Sequence, residues 1–149
     1  KNTKYVNEED APNYILGYCI VNDVSEREWQ IERGGTWDKG KSGDTFGPTG
    51  PYLVTHDELE NVQNLSMSLD IDEKRMQTGN TSKMIFNMNF ILSYLSNFMS
   101  LQPGDIVTTG TPPGVGAGMN PKQFLKDGNK LNLKIENLGE QNLAVVAEK

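Results

Sequence analysis

Histidine and cysteine each occur once in this chain of 149 residues. A lone cysteine, Cys19, cannot close an internal disulfide, and its place in the apolar run 14–21 reads as a buried thiol in a protein of the reducing cytoplasm. Zinc sites assembled from cysteine and histidine sets are excluded for want of ligands. Triad chemistry would have to use His56, which falls in Thr55-His56-Asp57-Glu58, a surface turn with its own capping pattern, and no Gly-x-Ser-x-Gly elbow is present to carry a nucleophile. Cationic charge is also scarce: 14 Lys and Arg face 20 Asp and Glu, a net charge of −6. No broad phosphate-neutralising surface follows from that balance, so nucleic acid is not an expected partner. No apolar run approaches the roughly 20 residues of a membrane span, and no charged-then-apolar signal opens the sequence, so a membrane is not expected either.

What remains is the composition of a globular chain, 36% hydrophobic and 23% charged, of a length that suits one domain over residues 1–149. The sequence opens at Lys1 without methionine, and its first ten residues read like the interior of a protein. The expectation is a domain lacking its N-terminal portion.

Along the chain, Asn7-Glu8-Glu9-Asp10 offers a cap and first-turn carboxylates for a short helix, and residues 14–21 turn aromatic and β-branched like a buried strand. Ser25-Glu26-Arg27-Glu28 has the form of a capping box, predicting a helix over about 26–32 that stops at Gly34-Gly35. Asp23 then sits between a strand end and a helix. From Gly34 to Pro51, six glycines and two prolines in eighteen residues predict a long loop of the kind that carries function. A strand over 52–55 follows. Leu65, Met67, Leu69 and Ile71 alternate with polar residues as in a half-buried strand, and Asp72-Glu73-Lys74 turns it into 75–78. Ile85, Met88, Ile91 or Leu92, Leu95 and Met99 fall at helical spacing, predicting an amphipathic core helix over 84–99 opened by Thr81 or Ser82. A turn at 101–105, a short strand over 106–109, a second Gly-Pro loop over 110–118 and a final hairpin with its turn at 137–142 complete a β-rich α+β domain with two short helices and one longer one.

Carboxylates such as Asp23, with hydroxyls and water, suit a hard divalent cation, a weak signal on spacing alone. The segment 110–116 lacks the Gly-Lys-Ser/Thr ending of a phosphate loop, and Gly40-Lys41-Ser42, which has it, is not followed by a helix.

Several blocks carry a more specific pattern. Gly17-Tyr18, Val21-Asn22-Asp23-Val24-Ser25-Glu26-Arg27, Gln30 and the run Trp37 to Pro48 are followed in order by Gly50 to Thr55, Gln77, Thr81 to Phe86, Leu101 to Asp105 and Thr109 to Gly116. Together they resemble the fumarylacetoacetate hydrolase family over about residues 8–147. Within it they look most like the branch named for diketo-deoxy-sugar-acid hydrolases or ureidoglycolate lyases, nearer the former. The resemblance implies a mixed β-roll, a homodimer, and a Mg²⁺ or Mn²⁺ ion that chelates the oxo and carboxylate oxygens of a small 2-oxo acid. By the same resemblance Asp23 is a metal ligand and Thr45 a hydroxyl close to the metal. Lys41 is the catalytic lysine near the developing enolate, and Gln30 and Thr111 contact substrate. The implied activity is C–C hydrolysis of an acylpyruvate-type diketo acid, the alternatives being an isomerase, decarboxylase or lyase on the same scaffold, or an inactive segment serving as scaffold or dimer partner. Family members carry a Glu-x-Glu pair of metal ligands, and an acid-base histidine or glutamate, upstream of the segment at hand. Phe90, Tyr94 and Phe98 are apolar positions that a dimer interface would absorb if exposed.

Overall fold

The computed structural model describes residues 1–147. Among them, strand β1 (Gly17–Val21) pairs antiparallel with β2 (Thr49–Thr55). A second sheet contains β3 (Ser66–Ile71), β4 (Lys74–Asn80), β5 (Lys130–Ile135) and β6 (Gly139–Ala144), all antiparallel in the spatial order β4-β3-β5-β6. One α-helix, α1 (Met88–Phe98), and short 3-10 or π turns complete the β-rich α+β architecture that the sequence predicts. No helix among the described residues is long and apolar enough to cross a membrane.

The two sheets share one core of Ile20, Val54, Leu59, Leu65, Leu131, Leu133 and Leu138. Burying such side chains contributes about 1.5–3 kcal/mol each. A polar side chain also crosses between the sheets. Buried Gln141 of β6 donates through Nε2 to the carbonyls of Ile20 (3.2 Å), Pro48 (3.1 Å) and Gly50 (3.0 Å), joining the end of β1 and the start of β2 to the larger sheet. The Pro48 carbonyl also accepts from the Asn22 N–H, so the loss of the amide falls on the buried Ile20 and Gly50 carbonyls, at about 1–3 kcal/mol each. Gln141→Leu should therefore destabilise the protein by about 2–4 kcal/mol, read as a lower denaturation midpoint at unchanged slope. A loss below about 0.5 kcal/mol, the size of a surface substitution, would show that Gln141 does not link the sheets.

Several boundaries differ from expectation for identifiable reasons. The hairpin turn is Asp72-Glu73, both in the left-handed region (φ 48° and 68°), which suits a tight two-residue turn between twisted strands. The last hairpin also turns more tightly than predicted, at 136–138. Residues 106–109 form no strand, because their β-forming sequence meets no partner ladder among the described residues. The first short helix is a 3-10 turn at Ala11–Tyr14, with Pro12 in its opening positions.

Helix α1 starts later than predicted. Thr81 does not cap it: its buried hydroxyl accepts from the Leu65 N–H and donates to the Val62 carbonyl, both at 2.8 Å, which ties a separate 3-10 turn to the start of β3. Asn87 is the cap, accepting from the Phe90 N–H at 2.7 Å. The helix packs on the N-terminal segment through fully buried Ser96, whose hydroxyl accepts from the Val6 N–H at 3.0 Å. The predicted core stripe is thus only partly core. Met88, Ile91, Leu92 and Leu95 are half-buried, whereas Ile85 is 92% exposed and Met99 50% exposed. Phe86, Phe90, Tyr94 and Phe98 form a row, with successive ring centroids 4.7, 5.9 and 5.0 Å apart. Phe90 is half-buried; the other three are exposed.

Candidate active site

Strand β1 ends by presenting Asp23. Beside it, buried Asn22 donates its N–H to the Pro48 carbonyl at 3.0 Å, and Val24 turns back to donate to the Asn22 carbonyl at 2.8 Å. The Lys41 ammonium meets this turn, with Nζ 2.6 Å from Asp23 Oδ2 and 2.7 Å from Ser25 Oγ. Ser25 in turn donates to the Asp23 carbonyl at 3.1 Å. The predicted capping box does not form, because the Ser25 hydroxyl is used here. Glu26 Oε1 takes its place, accepting from the Glu28 N–H at 2.8 Å, and the helix shrinks to a π turn at Glu28–Glu32.

Lys41 comes from a 3-10 turn, Lys39–Lys41, inside the long loop. That turn lies against the Glu28–Glu32 turn because position 40 is glycine. A Cβ there would stand 2.4 Å from Gln30 Cβ and 2.8 Å from the Glu26 carbonyl oxygen, inside contact distance. The Gly40 carbonyl also accepts from the Glu26 N–H at 2.8 Å. Farther along the loop, Phe46 stacks on Trp29, centroids 6.4 Å apart, holding the loop to the same turn.

Gln30 is 3% exposed, and its two ends have different fates. Oε1 accepts from Arg27 at 2.6 Å, while Nε2 has no partner. An unpaired buried N–H group costs about 1–3 kcal/mol, so such groups recur where a ligand completes the bonding. Gln30 and Arg27, with Ile31, Gly35 and Trp37, line an open recess of about 280 Å³.

Of the five predicted site residues, Asp23 and Lys41 are in direct contact, and Gln30 lies across Gly40 from the lysine. Thr45 is exposed, and no hydrogen bond among the described residues joins it to Asp23 or Lys41. Thr111 is tied to β4, its hydroxyl accepting from Gln77 Nε2 at 2.8 Å. Ser25, Arg27, Gly40 and Gln77 were not singled out as site residues from sequence. Ser25 matched a helix cap too well, and the spacing around Gly40 gives no sign of the partner it touches.

Asp23 suits a hard divalent cation as one oxygen ligand among several, since Mg²⁺ takes one or two carboxylates and completes its shell with water and substrate. Among the described residues no group of three or more His, Cys, Asp or Glu side chains gathers to hold a metal. The chain therefore fits such an ion as one wall of a site. Cys19 offers no alternative nucleophile, as burial pushes its thiol up, away from the reactive thiolate.

A protein of Burkholderia lata with the general name of hydrolase is 59% identical over 139 residues, covering 93% of this chain and 49% of the relative. The chain thus spans about half the length of the curated relatives it matches. Among solved structures, a fumarylacetoacetate hydrolase from Exiguobacterium antarcticum superimposes with a TM-score of 0.95 at 34% identity, over 99% of this chain and 53% of that one. A fumarylpyruvate hydrolase from Pseudomonas aeruginosa, in complex with Mn²⁺ and pyruvate, superimposes with a TM-score of 0.88 at 32% identity, over 99% of this chain and 61% of that one. With the profile described as "Fumarylacetoacetate (FAA) hydrolase C-terminal" matching residues 1–146, and with the same fold recurring in these structures, the chain belongs to the fumarylacetoacetate hydrolase family.

Proposed function

We propose that this chain forms the Asp23–Lys41 side of the active site of a hydrolase that cleaves a C–C bond in an acylpyruvate-type diketo acid. The observation that carries the reading is the Lys41 ammonium held on Asp23 and Ser25, on a turn packed through Gly40 against Gln30, whose buried amide nitrogen has no partner. In this reading water adds to the acyl carbonyl, the bond to the methylene carbon breaks, and its electron pair leaves as the enolate of a 2-oxo acid. A proton then returns to that carbon. The products are a carboxylic acid and pyruvate or a substituted pyruvate.

Lys41 supplies a fixed positive charge toward the enolate oxygen. A preorganised donor of this kind acts most strongly as charge develops in the transition state. Asp23 and Ser25 hold the ammonium in place. Gln30 offers its free N–H to an oxygen of the substrate, Arg27 fixes the Gln30 amide from the other side, and Thr111 offers a hydroxyl. By the family resemblance Asp23 and Thr45, with a glutamate pair from outside these residues, would hold Mg²⁺ or Mn²⁺. A divalent cation supplies Lewis-acid polarisation of the oxo and carboxylate oxygens. The Mn²⁺ and pyruvate carried by the Pseudomonas aeruginosa structure support both the ion and the substrate class.

The test is turnover of acylpyruvates by the complete protein with Mg²⁺ or Mn²⁺, with products identified. Release of two acids in equal amounts, abolished by EDTA and restored by either ion, is the expected result. Release of CO₂, or an isomerised product without cleavage, would move the assignment to a decarboxylase or isomerase. No metal-dependent turnover of any 2-oxo acid would end it.

A further inference from the structure

The proposed site gives Thr111 no more than a hydroxyl facing solvent, but the way that hydroxyl is held says which of its bonding roles is left for a ligand. Gln77 lies on β4, an edge strand. Its register with β3 runs Leu69↔Gln77 and then Asp70↔Arg75, so Met76 is bulged out of the ladder. Bulges re-aim neighbouring side chains. The Gly-Pro loop lies directly on this bulge. A Cβ at Gly114 (φ 110°) would stand 2.0 Å from the Met76 carbonyl oxygen, and one at Gly79 would stand 2.6 Å from Pro112 Cβ. Glycine is therefore required on both sides of the contact.

Against this seat the Gln77 amide makes two bonds, Nε2 donating to Thr111 Oγ1 at 2.8 Å and to the Pro112 carbonyl at 2.7 Å. The Pro112 carbonyl can only accept, which leaves no freedom in how the amide is turned: its nitrogen faces the loop. One N–H goes to Pro112 and the other to the Thr111 oxygen. A threonine hydroxyl has one proton and two lone pairs, and with Gln77 donating into one of the lone pairs the proton stays free for a ligand on the exposed side of Thr111.

We infer that Gln77 is a positioning residue that fixes Thr111 as a hydrogen-bond donor, directed at an anionic oxygen of the 2-oxo acid. The inference rests on the proposed contact between Thr111 and substrate. It also narrows the ligand chemistry, because a donor held in this way favours the substrate's carboxylate oxygen, charged in the ground state, over a hydroxyl or amine.

The test uses the complete protein loaded with Mg²⁺, with pyruvate as binding probe and an acylpyruvate as substrate. Thr111→Val and Gln77→Leu should each weaken pyruvate binding and raise KM by about tenfold, with kcat changed by less than about twofold, the loss expected for one bond to a charged oxygen. The double variant should bind no more weakly than either single one, since both remove the same interaction. Thr111→Ser, which keeps the hydroxyl, should bind like the wild type. If Thr111→Val binds pyruvate normally, the proposed substrate contact is wrong and the inference falls with it. If Thr111→Val is weakened but Gln77→Leu is not, the contact stands and the inference is overturned. Additive losses, or a fall in kcat at unchanged KM, would likewise overturn it by reducing Gln77 to a loop support. Should Gln77→Leu fail to fold, Gln77→Met, equally apolar and more flexible, decides the question by the same measurements.

Discussion

Replacing Lys41 with alanine in the complete protein should lower kcat on an acylpyruvate by about a hundredfold or more, the usual cost of removing one preorganised donor from a developing oxyanion. The fold should hardly notice. The Lys41–Asp23 pair is partly exposed, with 24% and 48% of the two side chains accessible, and ion pairs in such positions contribute about 0–1 kcal/mol. The diagnostic combination is therefore a collapse of kcat without a matching loss of thermal stability. Lys41→Met, which keeps the stem and drops the charge, should behave alike. Lys41→Arg restores the charge but not the geometry, because a planar fork does not substitute for a compact ammonium seated between a carboxylate and a hydroxyl. Turnover within about threefold of wild type in Lys41→Ala would remove the lysine from the chemistry.

Gly40→Ala is expected to do as much damage to catalysis with a single methyl group, and by a different route. The added carbon would collide with Gln30 and with the backbone of Glu26, and backbone has no rotamer into which to retreat. The 39–41 turn must lift away, straining or breaking the bond from the Glu26 N–H to the Gly40 carbonyl. Overpacking of this kind costs about 1–3 kcal/mol. A displacement of about 1 Å in a catalytic group can cost about a hundredfold in rate. Unlike Lys41→Ala, this variant should lose thermal stability and kcat together, and its pyruvate affinity should fall as Gln30 is pushed. Normal melting and normal turnover would mean that the two turns do not need to touch.

The contrast between these two residues shows what a sequence can disclose. The strand periodicity around residues 65–71 and 131–135 is a backbone property written locally, so the strands are legible; Asp23, Ser25, Gly40, Lys41 and Gln77 all stand in the motif blocks, but which of them touch does not follow from the blocks. Gly40, Ser25 and Gln77 depend on partners at other positions in the chain. Gly40 matters because of Gln30 and Glu26, and Gln77 because of a loop more than thirty residues downstream. Helix α1 shows the same limit from the other side. Its apolar spacing is real but runs past both ends of the helix, and Ile85 and Met99, which share that spacing, lie outside it and are exposed. Residues 106–109 have the composition of a strand, and composition cannot supply a neighbouring ladder.

The aromatic row on α1 has a practical consequence in the test tube. The helix itself carries no charged side chain, and the rings of Phe90, Tyr94 and Phe98 run along it as an apolar row. Surfaces dominated by lysine and glutamate loosen their contacts as sodium chloride rises. This face should respond in the opposite sense, growing more adhesive as ammonium sulfate or phosphate is added and gentler in low-salt buffer, because strongly hydrated salts strengthen apolar association. Raising the concentration of such salts would strengthen whatever contacts this row makes.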